Sequence, residues 1–253
     1  MSATFHGKVA LVTGAGSGIG RRSARAFAER GATVVVADLH AENAAHTVKL
    51  IEQEGGTASA VTVDVTDADS VRAMVEATVA RHGGLHIAHN NAGIFAALGP
   101  AGDIDEQQWH TQLAVNLTGV MLSMKYEIQH MREHGGGAIV NAASNIGYHL
   151  RYPGTGAYAA SKAAVSTLTR AAALDHIKDG IRINAVSPGA SDTPMTFLPG
   201  ESEADRAARL NGTIPLGRLA GTDEIVASVL WLASDESSFV VGHDLVTDGG
   251  ASA

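Results

Sequence analysis

Short apolar, β-branched runs alternate along the chain with longer segments whose apolar residues recur at helical spacing. Strands are predicted over six runs, at residues 8–13, 33–38, 58–64, 86–90, 137–144 and 181–187. Helical spacing is clearest at residues 20–30, 69–82 and 157–177. Alternating strands and helices indicate βαβ units, and right-handed crossovers favour a doubly wound parallel sheet with helices on both faces. The pattern therefore predicts one α/β domain over residues 1–253.

One region interrupts this alternation. Residues 188–216 contain Pro188, Pro194, Pro199 and Pro215 around a short helical pattern, ESEADRAARL. A long insertion in an otherwise tight domain is typical of a functional lid. We therefore expect a substrate lid at about residues 189–216.

Composition excludes several classes of function. The chain has 253 residues, 45% of them hydrophobic, and a net charge of −8 without the clustered Lys and Arg of a nucleic-acid site. Its apolar runs are too short for a signal peptide or a membrane span, so no membrane partner is expected. Cysteine is absent, which fits a reducing, cytoplasmic location. The 12 histidines are scattered, and His86 and His89 would point to opposite faces of a strand, so no metal site is predicted.

A phenol and an ammonium lie side by side in the predicted helix at 157–177. Tyr158 and Lys162 are four residues apart, and residues at i and i+4 share a helix face. A tyrosine has a pKa of roughly 10, and a neighbouring cation lowers that pKa. We therefore expect Tyr158 to act as a general acid or base on an alcohol or carbonyl oxygen. The alternative is a packed tyrosine beside a solvated lysine, since this spacing also arises by chance.

A glycine-rich turn follows the first predicted strand and opens the first predicted helix. Residues 13–20 read TGAGSGIG; such glycines allow a tight turn close to a pyrophosphate, which the helix N-terminus also attracts. Asp38 ends the second strand, where a carboxylate binds the adenosine ribose hydroxyls and repels the 2′-phosphate of NADP. These features predict a Rossmann-type dinucleotide site that prefers NAD over NADP. Arg21 and Arg22 are interpreted as a solvated helix face.

Further motifs extend this pattern along the whole chain. In order they are Asp64-Val65, Asn90 to Gly93, Asn116, Ser144, Pro188-Gly189 and Thr193. Together with the Gly-x-x-x-Gly-x-Gly turn and Tyr158-x-x-x-Lys162, they make the chain resemble the short-chain dehydrogenase/reductase family in its compact, single-domain branch. The resemblance covers residues 8–250.

The resemblance implies hydride transfer between a nicotinamide cofactor and a secondary alcohol or ketone. The catalytic set that it implies is Asn116, Ser144, Tyr158 and Lys162. Ser144 would donate a hydrogen bond to the substrate oxygen and Tyr158 would exchange a proton with it. Lys162 would lower the Tyr158 pKa and bind the nicotinamide ribose. Asn116 would mark a helix kink whose freed carbonyl holds a water leading to the lysine.

The resemblance also assigns cofactor contacts at the carboxyl ends of the strands. Asp64 and Val65 would contact adenine, and Thr193 would anchor the carboxamide, although Asp64 also fits a simple helix N-cap region. The full set implied is Gly14, Ser17, Gly18, Ile19, Gly20, Asp38, Asp64, Val65, Asn91, Ala92, Gly93, Tyr158, Lys162, Pro188, Gly189 and Thr193.

The substrate pocket is expected among residues 94–99, 145–152 and 195–216. Its candidates are mostly apolar, which suits an alicyclic, aromatic or medium-chain alcohol or ketone. They are Ile94, Phe95, Leu98, His149, Tyr152, Met195, Phe197 and Leu198. Several of them would otherwise simply pack the lid. His149 would contact a second substrate oxygen or lie free at the surface.

Other functions stay open within this resemblance. A 3-oxoacyl (carrier-protein) reductase and sugar, steroid or dihydrodiol dehydrogenases are the alternatives of the same family, and a non-catalytic NAD-binding sensor is the alternative of another class. The resemblance further implies a homotetramer built through helices at 105–133 and 156–178. An alanine-rich face on the second helix would allow close packing unless it faces the sheet; it comprises Ala159, Ala163, Ala164, Ala171 and Ala172.

Overall fold

Seven parallel strands form one sheet in the order β3-β2-β1-β4-β5-β6-β7. The computed structural model describes residues 4–198 and 200–253; Pro199, within the expected lid, and residues 1–3 lie outside the described residues, as does the side chain of Asn211. The strands are β1 (Val9–Thr13), β2 (Thr33–Asp38), β3 (Thr57–Thr62), β4 (Ile87–Asn90), β5 (Gly137–Ala142), β6 (Ile181–Pro188) and β7 (Asp244–Thr247). Every neighbouring pair is parallel, which confirms the predicted doubly wound sheet.

Helices cover both faces of the sheet. They are α1 (Gly18–Glu29), α2 (Ala41–Gln53), α3 (Ala68–His82), α4 (Glu106–Leu113), α5 (Gly119–Glu133), α6 (Gly156–His176), α7 (Glu203–Asn211) and α8 (Thr222–Ala233). Side chains alternate across a strand, so Val9 and Leu11 pack in the core beneath α3, α5 and α6. Ala10 and Val12 pack in the core beneath α1, α2 and α8. Within the described ranges, no helix is both long and apolar enough to cross a membrane.

The structure departs from the expected elements in several places. Strand β7 was not among the predicted strands, and β3 and β5 each end two residues earlier than predicted. The long helix expected at 105–133 is interrupted by a π-helical segment, Ala114–Thr118, between α4 and α5. The alanines of α6 do not form one open face, because Ala172 is buried while Ala171 is exposed.

A polar network lies buried between the sheet and the helices α5 and α6. Glu127 of α5 accepts a hydrogen bond from Asn90 at 2.9 Å, and Asn90 also donates to Asn141 at 3.0 Å. Asn141 in turn donates to Thr169 of α6 at 2.9 Å. The other carboxyl oxygen of Glu127 has no partner among the described residues. Burial therefore raises the pKa of Glu127 to about 7, so ionisation of this carboxyl opposes folding.

Glu127→Gln is expected to stabilise the protein more at alkaline than at acidic pH. The folded-state pKa lies above the usual value, so stability present at low pH is lost as pH rises through about 7. Between about pH 5.5 and 8.5 the wild type should lose about 2 kcal/mol that the glutamine variant retains. Urea unfolding at both pH values measures this. The exposed Glu133→Gln on the same helix is the control, and an equal effect of Glu127→Gln at both pH values would contradict the prediction.

Candidate active site

The ends of four strands bring the candidate residues together. Strands β1, β4, β5 and β6 all end at the same edge, and the segments that follow them carry the glycine turn, Asn91, Ser144 and Gly189. Helix α6 begins at this edge and supplies Tyr158 and Lys162 from its first two turns. Ligands bind at such carboxyl edges of open α/β sheets.

The glycine turn is held against the end of β4. Gly14 has φ +63°, and a Cβ there would come within 2.8 Å of the Ala92 Cα atom. The side-chain amide of Asn91 donates to the carbonyls of Thr13 and Gly14, each at 3.2 Å. The backbone N–H of Asn91 donates to the Thr13 hydroxyl at 3.1 Å. Because α1 begins at this turn with the unpaired N–H groups of a helix N-terminus, the turn fits a pyrophosphate.

Asp38 lies beside the turn with its carboxylate oriented by backbone amides. Its two oxygens accept from Gly16 at 2.8 Å and from His40 at 3.0 Å. Arg21 donates to the Gly16 carbonyl and to Thr47, and Arg22 pairs with Glu29 and Asp223. The ion pairs of Arg22 are exposed, as expected of a solvated helix face, whereas Arg21 is part-buried against the turn.

Tyr158, Lys162 and Ser144 are all buried at this edge. The Lys162 ammonium donates to the Ala142 carbonyl at 2.7 Å and lies 5.9 Å from the centre of the Tyr158 ring. Burial lowers the pKa of Lys162 to about 8. Burial also raises the pKa of Tyr158, and a hydrogen bond with Ser144 opposes that rise. The net pKa of Tyr158 is therefore raised and not lowered as expected, because desolvation of the phenol is the largest contribution to the shift.

Asn116 occupies the π-helical segment between α4 and α5. Its side chain accepts from the Ile94 amide at 2.8 Å and donates to the Ile94 carbonyl at 2.9 Å. It also donates to Ser161 of α6 at 3.3 Å. Asn116 therefore joins three segments around the site, at the kind of helix irregularity that is frequent at functional sites.

The remaining cofactor candidates line the same edge. Asp64 is exposed and accepts from both the amide and the hydroxyl of Thr66, while the N-cap of α3 is Asp67. Val65 is buried. The Pro188 carbonyl accepts from the Asn145 amide at 3.0 Å, which ties the segment after β5 to the end of β6.

The pocket candidates divide into three groups. Phe95 packs edge-on against the Tyr158 ring, with 4.7 Å between ring centres. Tyr152 and Met195 are exposed, as are Leu98 and Leu198. His149, which we expected to face the substrate or lie free at the surface, instead hydrogen-bonds Asp244 at 3.0 Å. Its ring therefore has a protein partner on β7.

Arg206 is a site residue that the sequence patterns did not reveal. It lies on α7 in the expected lid, is 6% exposed, and donates to Asp192 at 2.7 Å and Thr196 at 3.2 Å. Its guanidinium packs over the Phe197 ring at 3.9 Å. Arg206 thus ties α7 to the segment that carries Thr193. In the sequence, its only signal is its place in the amphipathic run ESEADRAARL.

Thr193 brings the lid segment to the glycine turn. Its methyl group lies 3.5 Å from where a Cβ of Gly18 would stand. Within the described part of the chain, no three His, Asp or Glu side chains are grouped so that they could hold a metal ion. The geometry thus combines a glycine turn at a helix N-terminus, the Asp38 carboxylate beside that turn and a buried phenol–ammonium pair.

Known proteins share this architecture over the full chain. Cis-4-hydroxycyclohexanecarboxylate dehydrogenase of Sinomonas cyclohexanicum is 43% identical over 254 residues, covering 100% of both chains. Cyclohexanol dehydrogenase of Acinetobacter sp. (strain SE19) is 41% identical over 249 residues, covering 98% of this chain and 96% of the relative. The crystal structure of a short-chain type dehydrogenase/reductase from Mycobacterium marinum superimposes with a TM-score of 0.92 at 38% identity, covering 98% of this chain and 96% of that one.

A family model described as enoyl-(acyl carrier protein) reductase matches residues 14–252. The relatives, the fold and the family model agree that this is an oxidoreductase that uses a nicotinamide cofactor on a small-molecule alcohol or its ketone. The chain belongs to the short-chain dehydrogenase/reductase family.

Proposed function

We propose that the protein is an NAD-dependent dehydrogenase of alicyclic secondary alcohols. The observation that carries this proposal is the Phe95 ring packed against Tyr158, since it sets an apolar wall beside a buried hydroxyl pair. An apolar ring carrying one hydroxyl group matches such a surface. Two curated relatives support the substrate class, because their names specify cyclohexanol and cis-4-hydroxycyclohexanecarboxylate.

Alcohol oxidation removes a proton from the oxygen and a hydride from the carbon of the substrate. A bound nicotinamide ring supplies the hydride acceptor. In the proposed mechanism the Ser144 hydroxyl donates to the substrate oxygen, and the Tyr158 oxygen takes its proton. The Lys162 cation favours the phenolate form of Tyr158. Because burial raises the pKa of Tyr158, the phenolate becomes more abundant as pH rises, and alcohol oxidation should be faster at alkaline pH.

Asp38 is the residue that we propose selects NAD over NADP. Its carboxylate lies against the Gly16 amide, where the adenosine ribose of a cofactor bound at the glycine turn would lie. A 2′-phosphate would place like charges together. Arg21 and Arg22 already have protein partners, so neither is a free cation for that phosphate.

We also propose that residues 189–216 act as the substrate lid. Two contacts support this: Arg206 holds α7 to Asp192, and Thr193 approaches Gly18. Phe197, covered by the Arg206 guanidinium, and exposed Met195 belong to the same segment. Tyr152 would face this segment across the pocket mouth.

The substrate class is tested by measuring NADH formation from a panel of alcohols. The panel spans cyclohexanol, cis-4-hydroxycyclohexanecarboxylate, aromatic, steroid, sugar and aliphatic alcohols, with a 3-oxoacyl thioester assayed in the reductive direction. The highest kcat/KM is expected with a cyclohexanol.

Tyr158→Phe should lower kcat roughly 100-fold or more while NADH binding stays within about twofold, because the ring and its packing remain. Preference for the thioester, or strong activity without the Tyr158 hydroxyl, would contradict the proposal.

Asp38→Asn is expected to narrow the preference for NAD. Asparagine keeps an acceptor for the Gly16 amide but removes the charge, so kcat/KM with NADP should rise roughly tenfold relative to that with NAD. Parallel assays with both cofactors measure the ratio, and Glu42→Gln in the exposed first turn of α2 is the control. An unchanged ratio in Asp38→Asn would show that another residue discriminates.

A homotetramer is the assembly that we propose. Leu174 at the end of α6 is 76% exposed and Phe239 before β7 is 101% exposed, and large exposed apolar side chains are typical of interaction surfaces. Light scattering is expected to give a mass about four times the chain mass of 26.0 kDa. A single species at the chain mass would contradict this assembly.

A further inference from the structure

A buried carboxylate collects hydrogen bonds from three elements behind the proposed active site. Asp244 begins β7 and is 5% exposed. One of its oxygens accepts from the Ser166 hydroxyl at 2.6 Å and from His149 Nε2 at 3.0 Å. The other accepts from the Ser187 hydroxyl at 2.6 Å. The three donors lie on α6, on the segment after β5 and on β6, so Asp244 links these elements directly.

Each donor belongs to the same segment as a proposed catalytic or cofactor-binding residue. Ser166 is one helical turn beyond Lys162 on α6, and its hydroxyl is also 3.3 Å from the Lys162 carbonyl. Ser187 directly precedes Pro188 on β6. His149 lies in the segment that begins with Ser144. The carboxylate is therefore positioned to fix all three segments relative to one another.

The segment from Ser144 to Leu150 is a tight loop closed by its own backbone. The Leu150 amide donates to the Asn145 carbonyl at 2.7 Å, and the Gly147 amide donates to the Leu150 carbonyl at 2.8 Å. Gly147 has φ +136°, and a Cβ there would lie 2.8 Å from the Ala159 carbonyl of α6. The loop therefore lies directly on α6 and is a compact unit.

This loop orients the Ser144 hydroxyl. The Ile146 amide donates to the Ser144 oxygen at 3.2 Å, and the Ser144 hydroxyl lies near enough to the Tyr158 phenol to oppose the rise of its pKa. His149 attaches the loop to the start of β7, and the Asn145 side chain donates to Asp248, directly after β7, at 3.2 Å. A continuous series of contacts thus runs from Asp244 through His149 and the loop backbone to the Ser144–Tyr158 pair.

We propose that Asp244 and His149 are positioning residues, which anchor the Ser144 loop and α6 to β7 so that Ser144, Tyr158 and Lys162 keep their mutual geometry. The inference rests on the proposed catalytic roles of those three residues. A buried carboxylate that accepts three hydrogen bonds is well compensated for its lost water. If one donor is removed, the carboxylate and the other donors rearrange. His149 therefore acts through the loop and does not contact the substrate.

The test compares His149→Ala, His149→Gln and Asp244→Asn with the wild type in cyclohexanol oxidation over a range of pH. Misplacing a hydroxyl in an active site lowers the rate steeply, so kcat at neutral pH should fall about tenfold in His149→Ala and Asp244→Asn, with NADH binding within about twofold. Since the Ser144 hydrogen bond lowers the Tyr158 pKa, its weakening should move the midpoint of the pH–rate profile to higher pH. Glutamine can donate from a similar position, so His149→Gln should restore most of the rate.

The matched control is His176→Ala. His176, the last residue of α6, hydrogen-bonds Asp179 at 2.9 Å. It therefore forms a similar His–Asp contact away from the proposed active site. Its kcat and its pH midpoint should stay at wild-type values. A purely structural role of His149 would lower activity in proportion to the folded fraction without moving the midpoint, and that result would overturn the inference.

Hydrogen–deuterium exchange gives a second readout that does not need turnover. In His149→Ala the peptide covering residues 144–150 should exchange about tenfold faster than in the wild type, and the β1–β4 core should be unchanged. Unchanged exchange at 144–150 would overturn the inference. Inactivity of the wild type towards every alcohol would refute the proposed function alone, and the exchange rates would still decide whether His149 anchors the loop.

Discussion

A buried ammonium group at the carboxyl edge of the sheet constrains everything around it. Charges are buried only where partners compensate for lost water, and Lys162 has the Ala142 carbonyl at 2.7 Å. That bond fixes the second turn of α6 against the end of β5. Gly93 lies so close that a Cβ there would come within 3.4 Å of the ammonium. The segment that follows β4 therefore packs directly beside the Lys162 ammonium.

The inner face of α6 extends this constraint along the helix. Ser161 accepts from Asn116, Ser166 donates to Asp244 and Thr169 accepts from Asn141. Successive turns of one helix are thus hydrogen-bonded to the π-helical segment, to β7 and to β5. An apolar stripe would pack as well but would tolerate sliding, whereas directional hydrogen bonds specify one position of the helix. Tyr158 and Lys162, the proposed catalytic pair, are thus placed by polar contacts along α6.

The spacing of apolar residues along the chain predicted most of the strands and the main helices, because these elements depend on local sequence. Alternating runs identified six of the seven strands, and the order of the motifs placed Ser144, Tyr158 and Lys162 at one edge. The predicted direction of the Tyr158 pKa shift was wrong. The i, i+4 spacing shows only that a cation is nearby, whereas burial of the phenol depends on how the whole site packs. His149 and Asp244 are 95 residues apart, and no spacing rule connects them. The inward turns of Arg21 and Arg206 depend likewise on distant partners, Thr47 and Asp192.

Lys162 is a desolvated cation held at the edge of the sheet, and the first experiment to make is its own titration. The chain has five lysines (Lys8, Lys49, Lys125, Lys162 and Lys178), so their ¹³Cε resonances can be followed individually by NMR over a pH range. One resonance, absent from Lys162→Met, should titrate near a pKa of about 8, well below the usual lysine value of roughly 10.4. If the Lys162 resonance titrates near that usual value, the ammonium is solvated and Lys162 does not organise the site as described.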